Sequence, residues 1–274
     1  MIILLSGSSC SGKNTLIKQL VNEKEEVKYI NSFTSRDKRP NESDGDPYFF
    51  VTKEDFQTKI KNNDFFEYEL IHKNFYGVEK NITKQLLLEN KCLLKDMGVL
   101  GTFNLKEELK DSLIETVFLY VDKKTLRKRL KKRGDDPKQI VVRLKRFGME
   151  KSHITKYNFV IDNRDFDKTL SVLRKIIENN KNSEEYIRVL KKVNEINFKK
   201  LNKYIDKLIN NKVFKPIDVI FNGQDFYLKH NVEKYLAGLI TNKNVTKNIV
   251  FKNVNYNSYE KYDNIKNLVE NFKI

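Results

Sequence analysis

Sulfur and long apolar runs are both scarce in this chain, and each scarcity closes a class of explanation. Only two cysteines occur in 274 residues, Cys10 and Cys92, so neither a disulfide framework nor a cysteine-based metal cluster can be built. Histidine is nearly as sparse, with three; His72 and His153 have no partnered spacing and read as surface groups. The apolar run Ile2 to Leu5 is far too short for a membrane span or the core of a secretory signal, and it is used up as a strand. A cytoplasmic location with no membrane attachment is the expectation. Acidic residues are outnumbered, which leaves a net charge of +16 and three classes of partner: nucleic acid, anionic lipid or a small phosphorylated substrate. In the first half the arginines stand singly among acidic and aromatic residues, which favours the small phosphorylated molecule over a broad nucleic-acid face.

What is present is most informative at residues 7 to 15, GSSCSGKNT, between that apolar run and the helical pattern Leu16, Ile17, Leu20, Val21. Gly7 and Gly12 let successive backbone N–H groups curl inward, a helix N-terminus adds partial positive charge and Lys13 supplies a full one. A polyphosphate fits there, with Gly7, Ser9, Ser11, Gly12, Lys13, Asn14 and Thr15 as its expected contacts. The position after the lysine, where a Ser or Thr hydroxyl normally ligates magnesium, is Asn14. Thr15 cannot take over, because the next helical residue projects about 100° away around the axis. Asn14 is therefore the candidate metal ligand, through its amide oxygen, with the ion otherwise held by water and phosphate.

Strand-like runs at 2–5, 92–94, 116–121 and 158–161 alternate with amphipathic helical patterns, which predicts an α/β fold with a parallel sheet core and ligands beyond the carboxyl ends of its strands. Residues 32–78 switch to short polar turns and aromatic strands, Tyr48 to Val51 and Phe65 to Tyr68, and read as an inserted substrate lobe. Residues 123–150 form two basic helical segments hinged around Gly134 and Pro137, a mobile cover able to exclude water and neutralise phosphate.

The order of phosphate loop, SFTSRDKRPNESDGDPYFFV (32–51), the FEY segment at 66–68, Tyr76-Gly77, basic lid and VIDN (160–163) resembles guanylate kinase over about residues 1–180. The resemblance implies a P-loop nucleoside monophosphate kinase fold, with ATP as phosphoryl donor, GMP (or dGMP) as acceptor and Mg2+ as cofactor. It implies that Arg36 and Arg39 clamp the monophosphate with paired charge-assisted hydrogen bonds, with Tyr48 as a further donor. Thr34 and Glu67 correspond to the purine-facing positions, and an ionised Glu67 can accept from guanine N1–H and the exocyclic amine together. Tyr76 and Asp96 belong to the acceptor site. Lys13, Arg133 and Arg143 form the catalytic set, Arg129 is a third candidate in the lid, and Asn163 corresponds to a residue approaching adenine. Two departures stand out: Val78 follows Tyr76-Gly77 where a hydroxyl is usual, and Asp96-Met97-Gly98 keeps only the first carboxylate of an Asp-x-Asp pair.

Beyond residue 180 the expectation is a helical linker (181–212), entered at a Ser183 cap and carrying Ile187, Leu190, Val193, Leu201, Ile205 and Leu208. A small α+β appendage (213–274) follows, with a hairpin at Asn222-Gly223, a helix, and a strand near 249–254. Residues 215–239 distantly resemble the core of ParB and sulfiredoxin-like domains. Their corner, however, reads His230-Asn231 with Lys234 in place of an arginine, so a structural or partner-binding module is expected. Nucleic-acid or protein association is left open for 181–274. Three functions compete: the kinase, a non-catalytic guanylate-kinase-like binding module favoured by Asn14, Val78 and Gly98, and a nucleic-acid-associated ATPase resting on charge.

Overall fold

The computed structural model describes residues 1–38, 42–71, 73–109, 112–179, 187–189, 197–210, 212–221, 226–228, 230–241 and 245–251. These divide into two compact units, one of residues 1–6 and 13–114, the other of residues 7–12 and 115–274.

In the first unit, β1 (Ile2–Ser6), β2 (Val27–Tyr29) and β8 (Cys92–Asp96) pair in parallel in the order β1-β8-β2, with Ile3 opposite Leu94 and Tyr29 opposite Leu94 on the other edge. All five residues of β1 are buried, as a strand covered on both faces requires. Helix α1 (Lys13–Glu23) turns Leu16, Ile17 and Leu20 inward, one helical face. The inserted lobe is a five-stranded sheet in the order β4-β5-β3-β7-β6, made of β3 (Ser32–Thr34), β4 (Ser43–Asp44), β5 (Pro47–Phe50), β6 (Phe65–Ile71) and β7 (Asn74–Glu79). Phe56 of α2 (Lys53–Lys61) stacks on Phe65 at 4.5 Å and on Phe75 at 5.2 Å, so aromatic packing supplies this lobe's core. Thr52 caps α2 by accepting from the Asp55 N–H, and acidic residues in its first turn and lysines in its last complement the helix dipole. Helices α3 (Lys80–Glu89) and α4 (Val99–Glu108) complete the unit.

In the second unit, β9 (Ile114–Tyr120) and β10 (Phe159–Asp162) pair in parallel, and the helices α5 (Lys123–Arg133), α6 (Pro137–Ser152) and α7 (Phe166–Asn179) lie around them in sequence. The two lid helices form as the hinge residues dictate. Gly134 ends α5 in the left-handed conformation, φ 87°, and Asp136 caps α6 with Pro137 in its first turn. Leu126, Leu130, Ile140 and Leu144 pack the pair together.

The part beyond residue 180 departs from expectation. Residues 187–189, read as linker helix, form β11 (Ile187–Val189), and among the described residues of 181–212 helix appears only in α8 (Phe198–Ile209). Nor do the later strands make a separate small sheet. β14 (Lys247–Phe251) pairs in parallel with β10, followed by β12 (Ile217–Phe221), β13 (Phe226–Leu228) and β11, so the unit's sheet runs β9-β10-β14-β12-β13-β11. The physical reason is the exposed hydrogen-bonding edge that β10 would otherwise present, which Lys247, Asn248 and Ile249 pair instead. The hairpin strands β12 and β13 are antiparallel and lead into α9 (Val232–Ile240), whose entry residue Asn231 takes φ 58°. The expected Asn222-Gly223 turn, the Ser183 cap, Leu190 and Val193 fall outside the described residues. Among the described residues no helix is long and apolar enough to cross a membrane.

Candidate active site

The phosphate loop is shaped by close backbone approach. Gly7 has φ 147° and a Cβ there would sit 2.6 Å from the Leu119 carbonyl oxygen; Gly12 has φ 102° and a Cβ there would meet Asn163 Nδ2 at 2.5 Å. Neither position admits a side chain, so the chain curls as a nest of amides must. Cys10 also sits at positive φ, 65°. Asn163, only 2 % exposed, donates from Nδ2 to the Ser11 carbonyl at 2.6 Å. Expected at adenine, it here holds the loop from beneath, and its carboxamide oxygen has no protein partner. The Ser11 hydroxyl is likewise buried without one.

Helices α5 and α6 bring guanidiniums to this loop. Arg129 donates to the Asn163 carbonyl at 2.8 Å and to the Cys10 and Ser11 carbonyls at 3.4 Å. Arg143 NH1 donates to the Ser9 hydroxyl at 3.0 Å, while its Nε lies 3.1 Å from Asp135. Arg133 grips the same carboxylate with two bonds of 2.5 Å. Asp135 is thus shared by both lid arginines, and the hydrogen bonds from Arg133 hold its carboxyl below the usual carboxylate range. The Ser8 hydroxyl donates to Glu150 at the far end of α6. Lys13 opens α1 half-buried, and Asn14 and Thr15 beside it are exposed.

A second cluster, in the first unit, gathers the residues expected for the acceptor. Thr34 is fully buried; its hydroxyl donates to the Phe75 carbonyl at 2.9 Å and accepts from the Arg36 N–H at 3.2 Å, which leaves one lone pair unused. Arg36 donates from one terminal nitrogen to both Glu42 oxygens, 2.9 Å to each, and its guanidinium lies 5.6 Å from the Tyr48 ring centre and 5.5 Å from that of Phe50. Tyr76 packs edge-on against Tyr48 at 5.6 Å. Burial, with the Asp96 carboxylate adding to it, pushes the Tyr48 phenol up, so it remains a hydrogen-bond donor. Arg39 lies outside the described residues.

Glu67 projects from β6 just after a register shift opposite β7. Its Oε2 is 3.1 Å from where a Cβ at Gly101 would sit, so the glycine in α4 makes room for it. Burial raises its carboxyl to about 7, against a lowering contribution from Lys95 and a small rise from Glu69. Lys95 is the residue that sequence reasoning missed. Only 3 % exposed, it donates to the Ile30 carbonyl at 2.8 Å and the Ser32 hydroxyl at 2.6 Å, with the Tyr29 hydroxyl at 3.4 Å. Burial lowers it to about 8, opposed by Asp96 and Glu67. The signal was available, since a lysine inside the apolar strand CLLKD has few ways to be satisfied except by internal partners. Asp96 is turned toward the Tyr29 hydroxyl, 2.5 Å away. Among the described residues no group of three or more His, Cys, Asp or Glu could hold a metal ion.

A family model described as guanylate kinase matches residues 1–180. The guanylate kinase of Fusobacterium nucleatum is 35% identical over 179 residues, which is 65% of this chain and 96% of that protein. The guanylate kinase of Caldanaerobacter subterraneus is 32% identical over 181 residues, 65% of this chain and 86% of that protein. The crystal structure of guanylate kinase from Anaplasma phagocytophilum superposes with a TM-score of 0.52 at 24% identity, covering 67% of this chain and 87% of the other, a likeness of fold. Residues 181–274 lie beyond the family match.

Proposed function

This chain belongs to the guanylate kinase family, and we propose that it performs the family's transfer with the two residue sets described above. Its reaction takes ATP and GMP to ADP and GDP. On the donor side, the loop amides from Gly7 to Gly12 and the Lys13 ammonium hold the ATP phosphates, with Ser9, Ser11 and Thr15 lining them. Arg133 and Arg143 neutralise the charge that spreads over the transferring phosphoryl. On the acceptor side, Arg36 and Arg39 clamp the GMP phosphate, Tyr48 and Tyr76 donate to it, Thr34 and an ionised Glu67 read guanine, and Asp96 orders the floor through Tyr29. A GMP phosphate oxygen attacks the γ-phosphorus in line as ADP leaves. The attacking oxygen carries no proton at neutral pH, so positioning and charge cancellation suffice and no general base is needed.

The donor set fits magnesium that arrives on ATP. Asn14 is exposed at the first turn of α1 and offers one neutral amide oxygen, and this ion tolerates a coordination shell made mostly of phosphate and water. When bound it supplies further charge neutralisation at the phosphates. Two free cysteines suit a reducing, cytoplasmic setting.

The observation that carries the residue assignment is the convergence of both lid arginines on Asp135, with Arg143 also on Ser9 of the loop. It supports a lid that delivers guanidiniums to bound phosphate. A coupled ADP-release assay across GMP, dGMP, AMP, CMP and UMP tests the reading. Turnover confined to the guanine nucleotides supports it; preference for another base removes Glu67 as the guanine reader; no turnover rejects the catalytic assignment.

A further inference from the structure

The family match ends at residue 180, yet the second unit carries a distinct cluster beyond it. Helix α8 presents Lys200, Tyr204 and Lys207 along one stripe, since residues three and four apart share a face. Both ammonium groups lie 5.9 Å from the Tyr204 ring centre. Tyr204 packs edge-on against Phe214 at 5.2 Å, and Lys234 of α9 lies 5.4 Å from the Phe214 ring centre. Lys215 follows directly in the chain. Burial lowers Lys234 from its ordinary value, and Lys200, Lys207 and Lys215 each push it further the same way, so three cations bear on this one.

Folding alone does not require this arrangement. The apolar stripe of α8 is already used, with Leu201 fully buried and Leu208 4 % exposed, so the lysines are not needed to cover it. The nearby carboxylate Glu233 is buried, accepts from the Asn197 N–H at 3.2 Å and pairs with Lys200 at 3.8 Å, one carboxylate against the four lysines. Mutual repulsion of this kind is relieved by a polyanion whose charges are spaced along a chain.

We propose that the Lys200, Lys207, Lys215 and Lys234 cluster, with Tyr204 and Phe214 between them, is a binding site for single-stranded nucleic acid. The interleaving of rings and cations decides the class. Lysines neutralise successive phosphates and aromatic faces accept bases, a pairing that tolerates any sequence. An anionic membrane would instead ask for a continuous apolar face, and α8 buries Leu201 and Leu208 and leaves only Ile209 strongly exposed, with Val213 just beyond it.

The test is fluorescence anisotropy of the full chain with a labelled twelve-nucleotide single strand, with ATP present in excess to occupy the phosphate loop. The triple variant Lys200→Gln, Lys207→Gln, Lys234→Gln is compared with an equal-charge control, Lys61→Gln, Lys84→Gln, Lys91→Gln, on exposed positions of the other unit. The expected result is at least tenfold weaker binding for the cluster variant and a salt slope shallower by about 2, from three single-strand phosphate contacts at about 0.7 each, with the control within about twofold of the parent chain. Tyr204→Leu, which keeps every charge, is expected to weaken the oligonucleotide severalfold and leave inorganic polyphosphate unaffected. Equal losses in the cluster and control variants overturn the site. Polyphosphate or phosphatidylserine vesicles bound as tightly as the oligonucleotide overturn the nucleic-acid assignment. Kinase activity toward GMP in the cluster variant is expected to match the parent, so failure of this proposal leaves the phosphotransferase reading standing.

Discussion

Lowering the pH from 8 to 6 is expected to weaken GMP binding about tenfold through one residue. Glu67 can accept from two guanine N–H groups only as a carboxylate, and burial places its midpoint at about 7. Ionised fractions are then about 0.9 at pH 8, 0.5 at pH 7 and 0.09 at pH 6, and an affinity that needs the ionised form scales inversely with that fraction. The apparent Kd therefore rises about twofold over the first unit of pH and about fivefold over the second. The GMP phosphate itself titrates near 6 and adds a change of about twofold at the acidic end. Glu67→Gln separates the two: it cannot titrate, so only the ligand's twofold change remains, and its amide places a donor against one guanine donor, a mismatch of about 1–3 kcal/mol by analogy with base readout. The assay is calorimetric titration of GMP into parent and variant from pH 5.5 to 8.5, because Kd, unlike KM, carries no contribution from the chemical step. A parent profile as flat as that of Glu67→Gln, or one that first bends below pH 5, refutes the assignment. The same raised carboxyl makes an opposite statement about the free protein. A buried acid with a raised midpoint favours the folded state while protonated, and that stability is lost as pH rises from about 4.5 to about 7. Glu67→Gln is accordingly expected to melt higher than the parent at pH 8 and at the same temperature at pH 4.

Lys95→Met removes the cation that opposes the rise of Glu67, so the midpoint of GMP binding is expected to move above 7 in the same titration. Lys13→Ala is expected to lower kcat/KM for ATP by 10² to 10³ or more, the scale of losing one preorganised charge at a transferring group, with the Kd for GMP unchanged by calorimetry. Asp135→Asn frees two guanidiniums that share one carboxylate; kcat is expected to fall several-fold while the melting temperature stays nearly constant, because both arginines remain well exposed, at 48% and 41%. Gly12→Ala is expected to lower stability by about 1–3 kcal/mol in thermal unfolding, since φ 102° and the 2.5 Å approach of Asn163 Nδ2 leave a Cβ no room.

The features legible in the chain are those written in local chemistry. Glycine at positive φ, a lysine at a helix start and a Gly-x-x-Pro hinge between basic helices each dictate their own geometry within a few residues. The loop and the α5–α6 pair therefore emerge as read, with α5 ending at Gly134 and α6 opening on Pro137. Short strands were less visible: β2 has three residues and β7 carries Gly77, and both form because neighbours offer a hydrogen-bonding edge rather than because of any alternation of their own. The same cause explains the departure beyond residue 180, where spacing puts Ile187 on a helical stripe but the backbone pairs it beside Phe226 in β13. Helical spacing cannot reveal an edge contributed from about forty residues away. The acceptor cluster shows a third kind of illegibility. Arg36, Tyr48 and Glu67 could be named from a resemblance, but their electrostatic state depends on Glu42, Tyr76 and Lys95, which are brought near by packing. Charge in a buried site is a property of the surroundings. Burial thus leaves the Glu67 carboxyl raised to about 7 because a strand lysine, itself lowered by burial to about 8, offsets only part of the cost of burying it.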